Sequence, residues 1–227
     1  MNKFISCILL VFSVNAFSGI QVDATRVIDN SSRNSASLAI SNDSDDTYMV
    51  QSWLDTGNAS QMPKNLPIIV TPPILKLASK KEAILRFIYS GNGLSKNEES
   101  LFWINIQEIP PSPKQENVLQ VAIRTRIKLF YRPDSLKINL QQQAKLLKWH
   151  HQDDNLLVIN EGPLHVTFGK LTLQKGTKSW TVNADMVKPH DILQVSLPHE
   201  AYLANNMSFT YINDYGGYTE IKNITLH

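Results

Sequence analysis

Short apolar and β-branched runs, separated by turn residues, follow one another along most of the chain. Such runs predict strands when apolar and polar positions alternate and the run ends at Gly, Pro, Asn or Asp. Helical spacing is confined to one segment, where apolar side chains recur about every four positions at Leu136, Leu140, Ala144 and Leu147. The predicted helix is residues 136–149, and the predicted strands are residues 21–28, 35–41, 48–54, 68–70, 82–89, 101–109, 118–131, 156–160, 166–173, 179–182, 192–197, 207–212 and 220–226. Many short strands at close spacing favour β-sandwiches, so we predict an all-β protein.

The predicted strand at residues 118–131 is more than twice the usual strand length of about 5–6 residues. Its apolar side chains Leu119, Val121 and Ile123 fall on one face, and basic side chains such as Lys128 fall on the other. Taken alone, this pattern favours a core strand that crosses one whole sandwich.

A proline-bounded loop, residues 110–114, leads into this long strand. The loop has no evident packing role, and it favours a second interpretation, in which the strand outgrows its own sheet. Such a strand leaves an apolar edge, and apolar edges pair with other chains. The alternation itself leaves both interpretations open.

The chain divides most clearly at Pro133, where the long strand meets a residue that cannot continue a β-ladder. Each half carries about six or seven predicted strands, the number found in one immunoglobulin-like sandwich. We therefore predict two immunoglobulin-like β-sandwich domains, residues 19–134 and residues 135–227.

The amino terminus carries Lys3, then a largely apolar run, then small residues that end at Ser18. This arrangement predicts a secretory signal peptide, residues 1–18, that is removed from the mature protein. A membrane anchor is the alternative. It requires about 20 apolar residues, and polar residues resume at Gln21. We therefore expect no membrane insertion after the signal peptide is removed.

The cysteine content limits both the cellular compartment expected for the protein and the kinds of site that it can form. Cys7 is the only cysteine and lies within the predicted signal peptide, so a mature chain would have no disulfide and no Cys-ligated zinc. A large secreted protein without disulfides is ordinary in a Gram-negative periplasm, where we expect this one. The net charge of +2 comes from Lys and Arg scattered among acidic residues, so nucleic acid is not an expected partner.

Candidate catalytic and metal-binding residues are few. His150 and His151 stand near Asp153 and Asp154, but adjacent strand residues point to opposite faces. The sequence contains no nucleophile elbow, phosphate loop or dinucleotide fingerprint. We therefore predict a binding protein with no catalytic residue, metal or cofactor.

Four motifs, in order along the chain, are similar to those of one known family. They are TRVI at 25–28, ESLFWIN at 99–105 followed by IPP at 109–111, IKLFYRP at 127–133 and YINDYGG at 211–217. On these motifs the chain resembles the periplasmic pilus (fimbrial) chaperones of the chaperone/usher pathway. The brief loop before Val118 resembles the short-loop branch, which serves rod-like pili.

The resemblance implies a fold and a function. The fold is two immunoglobulin-like domains set at an angle with a cleft between them. The function is to bind, fold and cap pilus subunits, whose own sandwich lacks a strand, by lending them an edge strand. The chaperone then delivers each subunit to an outer-membrane usher, where a neighbouring subunit replaces the lent strand.

The resemblance also assigns roles to individual residues. Leu119, Val121 and Ile123 match the donor-strand side chains that enter the subunit's groove. Arg26 and Lys128 match the two cleft cations that grip the subunit's terminal carboxylate. The alternative for the cations is that they are ordinary solvated strand charges.

A further trio, Glu99, Arg132 and Asp214, matches an interdomain salt bridge that sets the angle between the domains. Its alternative is three independent surface charges. Thr71 and the two prolines after it match another family element, and whether Pro72 or Pro73 follows a cis bond is left open.

Two other functions compete with the chaperone. A secreted fibre subunit or carbohydrate-binding adhesin would carry its donor segment at the amino terminus, whereas here the alternating strand lies mid-chain. A secreted hydrolase would need an acid/base pair that the sequence does not offer. Self-association of the free protein through the donor strand stays open, because an uncovered apolar edge is an aggregation hazard.

Overall fold

The computed structural model describes residues 19–61, 63–113 and 117–226, so the predicted signal peptide lies outside the described residues. The amino-terminal elements are β1 (Ile20–Val22), β2 (Arg26–Asn30), β3 (Ala36–Asn42), β4 (Tyr48–Asp55), β5 (Ile68–Thr71), β6 (Ile74–Leu77), β7 (Glu82–Tyr89), β8 (Ser100–Ile109) and β9 (Arg124–Arg132). The carboxyl-terminal elements are α1 (Leu140–Lys145), β10 (Lys148–Gln152), β11 (Asn155–Asn160), β12 (Val166–Lys175), β13 (Lys178–Val182), β14 (Met186–Val187), β15 (Asp191–Ser196), a 3-10 helix (His199–Leu203), β16 (Asn206–Ile212) and β17 (Tyr218–Thr225).

Strands β1 to β9 form two sheets, in the orders β1-β3-β7-β5 and β2-β9-β8-β4-β6. Alternation sets the inner face of each sheet. On β7, for example, Leu85 and Phe87 are buried, while Ile84, Arg86 and Ile88 between and around them are exposed. The buried side chains of both sheets pack into one hydrophobic core, as in a β-sandwich.

Strands β10 to β17 form a second sandwich from the sheets β10-β11-β15 and β13-β12-β16-β17, with β14 beside β12. Its core is a separate cluster around three aromatic rings. The ring centroids of Trp149, Phe168 and Phe209 lie 5.0 to 5.7 Å apart in tilted or edge-to-face contacts. The prediction of an all-β protein with two immunoglobulin-like sandwich domains is confirmed.

The strand predicted at residues 21–28 is two strands in the structure. Its first part, β1, pairs with β3, where Ile20 lies opposite Asn42. Its second part, β2, pairs with β9 in the other sheet, where Arg26 lies opposite Lys128. The chain therefore crosses from one sheet to the other at residues 23–25, and the second half of the segment becomes an edge strand.

The helix is shorter than predicted, spanning Leu140–Lys145 rather than residues 136–149. Asn139 begins it with a capping box, in which its side chain and that of Gln142 each accept a hydrogen bond from the other's backbone N–H. Beyond the helix, buried Trp149 lies between exposed neighbours on β10. That period-two pattern suits a strand on the core, and it ends the helix early.

Strands β6, β10 and β14 are missing from the prediction. β14 has two residues, β10 overlaps the predicted helix, and β6 follows two prolines that interrupt the apolar run. The peptide bond between Thr71 and Pro72, just before β6, is cis. No helix among the described residues approaches the length and hydropathy needed to cross a bilayer.

Candidate binding site

Two basic side chains meet where β2 runs parallel to β9. In this pair Arg26 lies directly opposite Lys128. Arg26 is 8% exposed and Lys128 is half-buried. Burial lowers the pKa of Arg26, and it also lowers the pKa of Lys128, where the charge of Asp185 opposes the change and that of Arg26 reinforces it.

Neither cation forms an ion pair with a carboxylate within the part of the chain that the structure describes, although carboxylate charges act on both. Arg26 donates from Nη1 to the backbone oxygen of Ile212, at 3.1 Å, and its buried Nε has no hydrogen-bond partner in the described ranges. The Lys128 ammonium makes no hydrogen bond or ion pair there, and its Nζ lies 5.1 Å from the ring centroid of Trp103. Because desolvated charges are costly unless paired, two such cations side by side suit an anionic ligand.

The edge of β9 that precedes these cations is uncovered. On one side β8 pairs with β9 from Arg124 to Tyr131. On the other side β2 begins only opposite Lys128, so among the described residues no strand pairs with residues 124–127 on that edge. Their backbone groups are available for a strand from another chain.

The segment that leads into this edge is exposed. Leu119 is 93% exposed, Val121 64% and Ile123 50%. Three large aliphatic side chains spaced two residues apart and facing solvent are unusual within a sandwich domain, and they extend the open edge by a row of apolar groups.

The strand predicted from residue 118 begins instead at Arg124. Its partner β8 ends at Ile109, and Pro110 and Pro111 follow, so no N–H is available to continue the ladder. Among the described residues, the last backbone hydrogen bond between the two segments runs from the Glu108 N–H to the oxygen of Ile123, at 3.0 Å. Leu119, Val121 and Ile123 therefore precede the strand that the prediction placed them in.

Beside the cations lies a buried ion pair that sequence reasoning missed. Asp55 is fully buried and accepts from Arg126 Nε at 3.1 Å, Arg126 Nη2 at 2.5 Å and Asn105 Nδ2 at 2.6 Å. Burial alone would raise the pKa of Asp55, but these hydrogen bonds and one from the backbone of Gly57 lower it. Arg126 is thus already paired with a carboxylate, that of Asp55.

Arg132 lies between two carboxylates at the junction of the sandwiches. Its Nε donates to Glu99 Oε1 at 2.8 Å, and its Nη1 and Nη2 donate to the two carboxylate oxygens of Asp214 at 2.7 and 2.9 Å. Burial would lower the pKa of Arg132, but the hydrogen bonds to Asp214 and the charge of Glu99 raise it. A charge-assisted network of this kind links β9 to the turn after β16.

His165 is a fourth member of this junction, and it was also missed. Its backbone N–H donates to Glu99 Oε2 at 3.0 Å, and its ring Nδ1 lies 3.0 Å from the same oxygen. The Glu99 backbone N–H in turn donates to the oxygen of Pro163, at 2.9 Å. Glu99 is therefore held from both sandwiches.

The sequence assigned no role to Asp55, Trp103, Arg126 or His165, although Trp103 lies within the motif at 99–105. Each acts through a partner that is distant along the chain, and a pattern of apolar and polar positions does not show such contacts. The described residues contain no cluster of His, Cys, Asp or Glu that could hold a metal ion.

Comparison with known proteins identifies the family. The model for "Pili and flagellar-assembly chaperone, PapD N-terminal domain" matches residues 19–137, and that for "Pili assembly chaperone PapD, C-terminal domain" matches residues 142–223. The chain belongs to the pili assembly chaperone family. The resemblance predicted from the four motifs is confirmed at this level, and the short-loop branch stays a prediction.

Individual chaperones match over nearly the whole chain. The probable fimbrial chaperone YadV of Escherichia coli (strain K12) is 34% identical over 231 residues, which are 96% of this chain and 93% of YadV. The chaperone protein FimC of the same strain is 36% identical over 209 residues, or 90% of this chain and 83% of FimC.

Solved structures of chaperones match the fold as well. The crystal structure of the YadV chaperone has a TM-score of 0.78 at 34% identity and covers 90% of this chain and 98% of its own. A chain of the complex between the Salmonella enterica SafA pilin and the SafB chaperone has a TM-score of 0.78 at 26% identity, covering 91% and 96%. Pilus chaperones are periplasmic, and this protein is a pilus assembly chaperone.

Proposed function

We propose that this chaperone binds pilus subunits by donating residues 118–127 as an edge strand, with Arg26 and Lys128 anchoring the subunit's terminal carboxylate. It then passes the subunit to an outer-membrane usher. The observation that carries the proposal is the uncovered edge of β9, which begins beside Lys128 and continues into three exposed aliphatic side chains.

Strand donation explains why the edge and the apolar row occur together. The backbone of residues 124–127 offers hydrogen bonds to an added strand, and alternate side chains fit successive pockets of the partner. Burial of Leu119, Val121 and Ile123 contributes about 1.5–3 kcal/mol each before ordering costs. The backbone hydrogen bonds and the buried side chains thus supply affinity, and the alternation of the side chains supplies register.

A terminal carboxylate suits the cation pair. Two sheltered, charge-assisted hydrogen bonds contribute about 1.5–3 kcal/mol each. Because the pair lies at the end of the open edge, a carboxylate held by Arg26 and Lys128 would fix which subunit residue faces which donor side chain. The cations would therefore set register as well as affinity.

We also propose the bounds of the two domains, a role for the residues between them, and the location of the protein. The domains are residues 19–134 and 135–227, and their separate core clusters support this division. Glu99, Arg132 and Asp214 hold the angle of the cleft between them, in keeping with their shared contacts. Residues 1–18 are a signal peptide that sends the protein to the periplasm.

We further propose that the protein acts by binding alone, with no catalytic step, and that it serves rod-like pili of the short-loop branch. The alternative, a fibre subunit or adhesin, is not favoured, because the relatives of this chain are named as chaperones.

The test is capture of candidate subunits co-expressed in a periplasm with the tagged protein, comparing wild type with Arg26→Ala and Lys128→Ala. Both variants are expected to lose capture while keeping the wild-type melting temperature. Lys222→Ala, an exposed lysine on β17 paired with Glu220, serves as the control and should capture normally. Undiminished capture by both cleft variants would refute the carboxylate anchor.

A further inference from the structure

One indole contacts two cations of the site. Trp103 on β8 lies directly opposite Lys128 on β9, so the two side chains share a face of the sheet. The Lys128 Nζ is 5.1 Å from the ring centroid of Trp103, and the Arg126 Cζ is 4.1 Å from the same centroid. Both separations fall within the range of a cation–π contact, about 6 Å.

The two cations differ in what else they contact. Arg126 is ion-paired with fully buried Asp55, which Asn105 also holds. Its guanidinium is therefore both neutralised and fixed, and it provides a rigid neighbour for the indole. Lys128 has no ion pair or hydrogen bond among the described residues; the charge of Asp185 acts on its ammonium without an ion pair, and the indole contacts it.

An indole holds an ammonium differently from a carboxylate. The ring face attracts the cation through its quadrupole, but it presents no lone pair that would occupy an N–H donor. The three donors of Lys128 therefore remain available to a ligand. A carboxylate such as Asp55 in the same place would neutralise the lysine and compete with an incoming anion.

Resting on the proposed function, we propose that Trp103 is a positioning residue that holds the Lys128 ammonium open to the terminal carboxylate of a bound subunit. The lysine stem has four rotatable bonds, and ordering it on binding costs conformational entropy. The indole orders the stem before the ligand arrives. Its removal should therefore weaken recognition of the carboxylate and leave strand pairing intact.

The experiment uses two probes that differ only in the group recognised. They are N-acetylated eight-residue peptides of alternating threonine and valine, one with a free carboxylate and the other with an amide. Affinities are measured by titration against wild type, Trp103→Leu, Trp103→Phe and Trp53→Leu. Trp53 is the matched control, because it lies on the same face, on β4, with Arg124 Cζ 6.0 Å from its ring.

Wild type is expected to bind the acid more tightly than the amide. Trp103→Leu should lower this ratio of acid affinity to amide affinity about two- to fivefold, which corresponds to the loss of one exposed cation–π contact. Trp103→Phe should keep part of the ratio, since a smaller aromatic face remains. Trp53→Leu should keep all of it. The ratio is insensitive to loss of folded protein, because both peptides meet the same sample.

An unchanged ratio in Trp103→Leu or, if that variant does not fold, no decrease in Trp103→Phe, would overturn the positioning role while the anchor stands. An equal decrease in Trp53→Leu would also overturn it, since the effect would then not depend on the indole that contacts Lys128. Equal affinity of wild type for acid and amide would overturn the carboxylate anchor, and the role of Trp103 with it.

Discussion

At the scale of single residues, the edge strand β2 carries an unusual buried carboxyl. Asp29 is 2% exposed and lies opposite Tyr131, and one of its oxygens is buried with no hydrogen-bond partner among the residues that the structure describes. Burial raises its pKa to about 6. The folded state therefore favours the protonated acid, and ionising this group opposes folding.

The sign of the pH dependence follows from that pKa. Because the folded pKa of Asp29 lies above the value of about 3.9 for an unfolded chain, stability from this residue is fully present below pH 3.9 and is lost as the pH rises through 6. We expect Asp29→Asn to be more stabilising, relative to wild type, at pH 8 than at pH 4, by about 1–3 kcal/mol. Urea unfolding at the two pH values measures this.

A matched control is Asp45→Asn, since Asp45 is an exposed carboxylate paired with Lys80 on the surface. Its effect should be below about 1 kcal/mol and similar at both pH values. The prediction for Asp29 fails if the two variants show the same pH dependence.

The resemblance assigned roles to some residues of the site, and the roles of others became visible only in the fold. Arg26 and Lys128 stand in recognisable motifs, so the resemblance could assign them. Trp103 and Asp55 depend on cross-strand neighbours, namely Lys128 and Arg126, which lie 25 and 71 positions away along the chain. Only the pairing of β4, β8 and β9 brings them together.

At the scale of elements, residues 118–123 continue a strand that has lost its partner. The two prolines after β8 end the ladder at Ile109 and leave the apolar row of residues 119, 121 and 123 in solvent. The two prolines therefore both shorten β9 and leave residues 118–123 available to another chain. The alternation of side chains along residues 118–123 then determines which of them a bound subunit would contact.

A carboxylate should therefore have opposite effects on subunit capture when it is placed on one face of this segment or on the other. Val121→Asp puts a carboxylate on the row that the proposal inserts into the subunit, and it should abolish subunit capture. Ala122→Asp adds the same charge one residue later, on the other face, and should capture normally. Both residues are exposed, so the melting temperatures should match wild type.

Periplasmic co-purification with a candidate subunit measures the two variants side by side. Equal loss in both would show that net charge alone matters, and equal capture would show that the apolar row is not inserted. Either result would contradict strand donation through this face.

Element existence was largely predictable, whereas element boundaries depended on pairing. The alternation at residues 21–28 continues through the point where the chain changes sheets, so the break between β1 and β2 has no local signal. Around α1 the apolar spacing changes from helical to period two near Leu147, and the two patterns overlap there. Tertiary contacts decide both cases.

At the scale of the whole molecule, two separate cores made the architecture predictable. Each sandwich has its own set of alternating strands, and Pro133 follows the last strand of the first. The contacts across the junction were predicted only in part. The family motifs gave Glu99, Arg132 and Asp214, but His165 lies in no motif and joins them through Glu99.

Loss of the central cation should affect the two domains together. Arg132→Met would leave Glu99 buried without its guanidinium, and we expect the free energy of unfolding to fall by about 1–3 kcal/mol. The relative orientation of the sandwiches should also broaden, because the link from β9 to Asp214 is lost. Residual dipolar couplings from both domains measure the orientation, and subunit capture measures its consequence.

Arg126→Met is the control that separates orientation from stability. It removes an arginine from another buried pair, with Asp55, but both of these residues lie in the amino-terminal sandwich. Similar destabilisation of the two variants, with broadened orientation in Arg132→Met alone, would support an orienting role for the junction. Unchanged couplings in Arg132→Met would instead make the network a source of stability only, and the angle of the cleft would then depend on packing between the domains.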